Sequence, residues 1–66
     1  MERTWLKMIR VSKGMSMEQV GKMVGISQPS YFSIEKGKTF PRKKHAIAIA
    51  ELLGFDVARF YEDEIA

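Results

Sequence analysis

Ser16-Met17-Glu18-Gln19-Val20-Gly21-Lys22-Met23-Val24-Gly25-Ile26-Ser27-Gln28-Pro29-Ser30-Tyr31-Phe32-Ser33-Ile34-Glu35-Lys36-Gly37 contains two helical patterns with almost nothing between them. Ser16 is a favoured N-cap, Val20, Gly21 and Val24 fall on one helical face, and Gly25 ends the pattern. Only Gly25 and Ile26 precede the next cap, Ser27. From there a helix is predicted over Gln28 to about Lys36, with Tyr31 and Ile34 inward and Gly37 closing it. Helices joined by so short a turn cannot lie antiparallel, so they cross steeply. Gly21 fits a steep crossing: inside a helix glycine costs about 1 kcal/mol relative to alanine, a sign that a neighbouring backbone passes too close for a larger side chain.

Outward from this corner, a first helix is predicted from about Thr4 to Lys13, with Trp5, Leu6 and Ile9 at three- and four-residue steps and Gly14 as its terminator. The loop Lys38-Thr39-Phe40-Pro41 leads to a fourth helix with Ala46, Ile47, Ile49, Ala50 and Leu53 on its apolar face, ended by Gly54. Asp56 can cap a short fifth helix burying Val57, Phe60 and Tyr61. Alternating runs bounded by two-residue turns are missing, so the expected fold is all-α, a compact five-helix bundle in one domain, 1–66. Of the methionines, Met15 is expected in the core, with Met8 and Met23 pointing away from it.

The composition narrows the function. With 66 residues, a single small core is all the chain can bury. It has no cysteine and one histidine, which leaves neither thiolate chemistry nor a ready metal site, and no cofactor is expected. There is no acid/base pair with a plausible pocket, no nucleophile beside a base and no glycine-rich phosphate loop, so an enzyme is not expected. The sequence offers no apolar run of about 18 residues and no signal-peptide layout, which points to the cytoplasm, at the nucleoid, without a membrane partner. Net charge is +3, but its distribution says more. Lys36, Lys38, Arg42, Lys43 and Lys44 lie together without an acid, whereas Glu51, Asp56, Glu62, Asp63 and Glu64 face only Arg59 near the C-terminus.

The stretch Met15 to Gln28, with its Gly-Ile-Ser-Gln turn, followed by Ser30 to Lys38 with Ile-Glu-Lys-Gly-Lys and then Pro41, resembles the phage repressor and Cro DNA-binding domains, the Xre family. The resemblance extends from Trp5-Leu6-Lys7 through Arg10 and Lys13-Gly14 to Ile49-Ala50-Glu51-Leu52-Leu53-Gly54 and Val57. It implies a helix-turn-helix over about residues 17–36, with the third helix in the major groove of double-stranded DNA and the second across the backbone. Gln28 is then the first base-reading position, its amide matching adenine N6 and N7. Pro29, Phe32 and Ser33 follow as further base-reading candidates. Pro29 departs from the family pattern, since it offers only apolar contact, and its ring equally suits the first turn of a helix. The helical period turns Phe32 outward, where it can meet methyls and sugars or fold back over the scaffold.

The resemblance assigns phosphate contacts to Met17, Ser27, Ser30, Lys36, Lys38 and Thr39, and to the start of the fourth helix. Met17 stands where the family commonly has a phosphate-binding glutamine, so only its backbone N–H can serve. Where the family usually places a Ser or Thr cap, this sequence has Arg42 followed by Lys43, Lys44 and His45. Positive charge at a helix N-terminus opposes the helix dipole, at about 0.3–1 kcal/mol per exposed residue. A bound phosphate would offset that cost, so Arg42, Lys43 and Lys44 are candidate phosphate contacts; His45 is expected to be exposed. Arg10 and Glu35 match a family ion pair that pins the recognition helix to the first helix.

The functional expectation is a sequence-specific transcriptional regulator of phage or mobile-element type, acting by operator occupancy. A homodimer on a pseudo-palindromic operator is expected, with no small-molecule ligand, and Phe55, Phe60, Tyr61 and Ile65 are the candidate apolar contact between copies. From another class, the same scaffold serves as an antitoxin or antirepressor whose acidic tail docks on a basic partner.

Overall fold

A computed structural model of the protein describes the backbone of residues 2–65 and the side chains of residues 2–62. Five helices follow in order and no strand is present among the described residues: α1 Thr4–Ser12, α2 Met17–Val24, α3 Gln28–Glu35, α4 Lys43–Leu53 and α5 Ala58–Ile65. The helix starts and stops are chemically explicit. Ser16 forms a reciprocal capping box with Gln19: its Oγ accepts from the Gln19 N–H at 3.1 Å, and the Gln19 side chain accepts from the Ser16 N–H at 2.8 Å. Ser27 caps α3, accepting from the Ser30 N–H at 3.2 Å. Asp56 accepts from the Ala58 N–H at 2.9 Å and so caps α5.

One core holds the helices together. Leu6, Val20, Tyr31, Ile34, Ala46, Ile49, Leu53 and Phe60 are buried, one or more from every helix. Trp5, Ile9, Met15, Val24, Phe55 and Val57 pack around them. Gly21 is where α2 meets the turn into α3: a Cβ there would stand 3.0 Å from the Ile26 carbonyl oxygen and 3.4 Å from that of Ser27. The close approach of α2 to the turn into α3 therefore depends on a missing side chain.

Three expectations are corrected. On α4 the buried positions are Ala46, Ile49, Ala50 and Leu53, a strict three-four spacing that leaves Ile47 off the inner face and 37% exposed. On α5, Phe60 takes the direction into the core, and Tyr61, about 100° further round the helix, is 42% exposed with its ring against Phe40 at 5.2 Å. His45 is half-buried rather than exposed, because the turn carrying it closes against α3. The side chain of Ile65 lies outside the described residues.

Arg3 went unread in the sequence. It is buried, and its Nη1 donates to the Ile34 carbonyl at 2.6 Å and the Thr39 carbonyl at 3.1 Å, while its backbone N–H donates to Glu35 O at 2.8 Å. Its guanidinium also lies over the rings of Phe40 and Phe60, at 5.5 and 5.6 Å. A cation placed on the last carbonyls of α3 complements that helix's dipole and ties the following loop to the body.

Candidate nucleic-acid interface

The inner side of α3 is fixed before its outer side can present anything. Arg10 Nε donates to Glu35 Oε2 at 2.8 Å and its Nη2 to Glu35 Oε1 at 3.1 Å, a bidentate fork with both residues buried. The remaining Nη1 donates to the Met15 carbonyl at 2.7 Å, so one guanidinium joins α1, the α1–α2 connection and α3. Hydrogen bonding to Glu35, against the cost of burial, holds Arg10 still more firmly protonated than usual. Tyr31 lies beside this pair. Burial above all, and then the Glu35 carboxylate, push its phenol well above the ordinary range, and its hydroxyl makes no hydrogen bond of good geometry.

On the outer side, Gln28, Pro29 and Ser30 are exposed in the first turn of α3, with Pro29 where its missing N–H costs nothing. The Ser27 hydroxyl donates to Ser30 Oγ at 2.9 Å while accepting from the Ser30 N–H, which commits Ser27 to the cap and leaves the Ser30 hydroxyl hydrogen facing outward partners. Ser33 is half-buried one turn on and helps line a groove between α3 and the start of α4, together with Ser30, Thr39, Arg42 and His45 over a floor of Ile26, Ile34, Phe40 and Pro41. Four positions assigned by resemblance, Ser30, Ser33, Thr39 and Arg42, thus converge on one groove, and His45 joins them.

A second group forms at the far end of α3. Gly37, at φ +76°, lets the chain reverse: its N–H donates to Ile34 O at 3.2 Å and the Lys38 N–H to Ser33 O at 2.9 Å. These are the two bonds of a Schellman stop. The reversal carries Lys38 back alongside α3, where its ammonium and that of Lys36 lie 5.9 and 5.4 Å from the centre of the Phe32 ring. Phe32 is 38% exposed, so the outward turn read from the sequence and the contact with its neighbours coexist.

At the start of α4 the geometry is open. Arg42 occupies the N-cap of α4 and no side chain caps the first turn, which contains no acidic residue. Arg42, Lys43 and Lys44 are exposed and form no ion pair among the described residues. At the start of α2, the Met17 side chain packs partly against the core, leaving its backbone as its polar contribution.

The helix-turn-helix family pattern matches residues 6–60. The chain belongs to the Xre-type helix-turn-helix family. Among its relatives, it is 41% identical over 63 residues to the uncharacterized HTH-type transcriptional regulator YqaF of Bacillus subtilis, covering 96% of this chain and 83% of that protein. It is 34% identical over 61 residues to the uncharacterized HTH-type transcriptional regulator MJ0272 of Methanocaldococcus jannaschii, covering 89% of this chain and 92% of that one. No solved structure gives a significant match. Family membership accounts for the α2–α3 corner. No helix among the described residues is long and apolar enough to cross a membrane.

Proposed function

We propose that this helix-turn-helix protein is a sequence-specific regulator of transcription that acts by occupying an operator in double-stranded DNA. The observation that carries this reading is the contrast at α4: the starts of α2 and α3 have serine caps, while that of α4 has three exposed cations and no side-chain cap. Electrostatics leave such a turn unfavourable in the free protein and favourable against a phosphate. In this reading α3 enters the major groove. Gln28 pairs with a base edge through its two-headed amide, Pro29 and Ser33 supply further contacts there, and Ser30, Thr39, Arg42, Lys43 and Lys44 meet the backbone beside the groove between α3 and α4.

Met17 contributes its N–H at the start of α2, and Ser27 contributes by holding α3 in register. The chain acts as one domain, 1–66, and needs neither cofactor nor small-molecule ligand. Two copies bind a pseudo-palindrome with recognition helices about 34 Å apart. Among the described residues, Tyr61 is the exposed member of the candidate apolar contact, since Phe60 is fully buried and Phe55 packs on the core.

Selection from a random duplex pool tests the proposal. A preferred site is expected to emerge, and Gln28→Ala to weaken that site by about 1–3 kcal/mol while barely changing random DNA. Equal losses on both would remove Gln28 from base reading, and a pool that yields no site would refute specific recognition.

A further inference from the structure

We infer that Phe32 is a positioning residue for DNA phosphate contacts: its ring holds the ammonium groups of Lys36 and Lys38 on the DNA-facing side of α3, and Glu2 competes with phosphate for Lys36. This inference rests on the DNA-binding reading above and gives Phe32 a different role from the base-reading one expected from the sequence. Lys36 follows Phe32 by one helical turn, and side chains on a helix lean toward its N-terminus, so the Lys36 stem folds back over the ring. Lys38 reaches the same ring from the other side of the Schellman stop. The two ammonium groups, within 5.4 and 5.9 Å of a single ring centre, are attracted by its negative face.

This arrangement is short of negative charge. The described carboxylate that pairs with either lysine is Glu2, whose Oε2 lies 3.5 Å from Lys36 Nζ, with both side chains partly exposed. A phosphate oxygen that meets Lys36 would displace Glu2. Long lysine side chains normally lose freedom on binding; the ring has already restricted these two, which lowers the entropic cost of the contact. A ring that acts on DNA through two cations should have the same effect on binding whatever the base sequence.

Anisotropy titrations of the full chain on a selected duplex and a random duplex, each across a salt series, test this. Phe32→Leu is expected to weaken both duplexes by the same factor, about three- to tenfold, and to make the salt dependence shallower. Phe32→Tyr, which keeps the ring face, is expected to retain wild-type binding, and Glu2→Gln to tighten binding to both duplexes. Thermal melts of each variant check folding, which an exposed substitution should leave near wild type. Loss confined to the selected duplex with an unchanged salt slope would make Phe32 a base reader and overturn the inference, as would a Phe32→Leu variant that binds like wild type. Failure of the wild-type protein to bind either duplex would instead refute the DNA-binding reading itself.

Discussion

The inner side of α3 presents Tyr31, Ile34 and Glu35, almost wholly removed from solvent, and the outer side presents Gln28, Pro29, Ser30 and Phe32, all exposed. Glu35 is answered by a two-bond fork from Arg10, whereas Lys36, one residue later, meets a partly exposed carboxylate at 3.5 Å and the face of the Phe32 ring. The helix starts divide in the same way, with Ser16 and Ser27 closing theirs and Arg42 leaving its own open. Where charge and backbone are satisfied within the chain, substitution should act on folding. Where they are not, substitution should act on binding, and can even improve folding.

The sharpest way to break this division is on the inner side. Arg10→Ala or Glu35→Ala leaves an unpaired buried charge and should cost roughly 3–5 kcal/mol, read as a shift in urea midpoint. For a domain of this size such a loss approaches the whole stability, so largely unfolded variants are expected. A change below 1 kcal/mol would mean the pair does not pin α3. Next is Gly21→Ala, which should destabilise by about 1–2 kcal/mol although alanine is the better helix former, because its Cβ meets the Ile26 carbonyl at 3.0 Å. A stabilised variant would show that the turn can yield.

Arg42→Ser sharpens the contrast from the outer side, since it should raise stability by about 1 kcal/mol, by restoring a cap and removing a misplaced cation, while weakening DNA binding at every sequence. Both changes in the same direction would contradict the account. The smallest effect is expected from Tyr31→Phe, within about 1 kcal/mol of wild type at neutral pH, because the lost hydroxyl makes no good hydrogen bond. Its signature is in alkali. The folded state holds the Tyr31 phenol protonated above its ordinary range, so the unfolded chain ionises first and wild type loses stability as pH rises beyond about 10. The phenylalanine variant should lack that share of the loss, measured as the difference between the two denaturation curves.

Much of the fold was legible because its punctuation is local. Gly25-Ile26-Ser27 leaves room for only one kind of corner, and Gly14, Gly25, Gly37 and Gly54 all adopt the positive φ that their places after helical patterns require. Gly21 was readable as a close approach, though not which carbonyl it meets. Positions decided by tertiary geometry were harder. Arg3 looks like one more surface cation until the end of α3 and the Thr39 carbonyl are brought to it across more than thirty residues of chain. Ile47 and Tyr61 are apolar residues at the margins of amphipathic faces, where a rotation of one residue decides exposure. At the candidate interface, exposure of Phe32 followed from helical period and that of Gln28 from the family resemblance, but the meeting of Phe32 with Lys38 depends on a backbone reversal whose return path no periodicity specifies.

In the proposed function, the unsatisfied outer face of α3 and the open start of α4 bind DNA with sequence preference. The most direct test is the affinity of the wild-type protein for a selected and a random duplex, measured by anisotropy across a salt series. A preferred site is expected to be bound at least about a thousandfold tighter than random DNA, with log affinity falling steeply and linearly against log salt, by about 0.9 for each phosphate neutralised. Weak binding with no enriched site and little response to salt would contradict it.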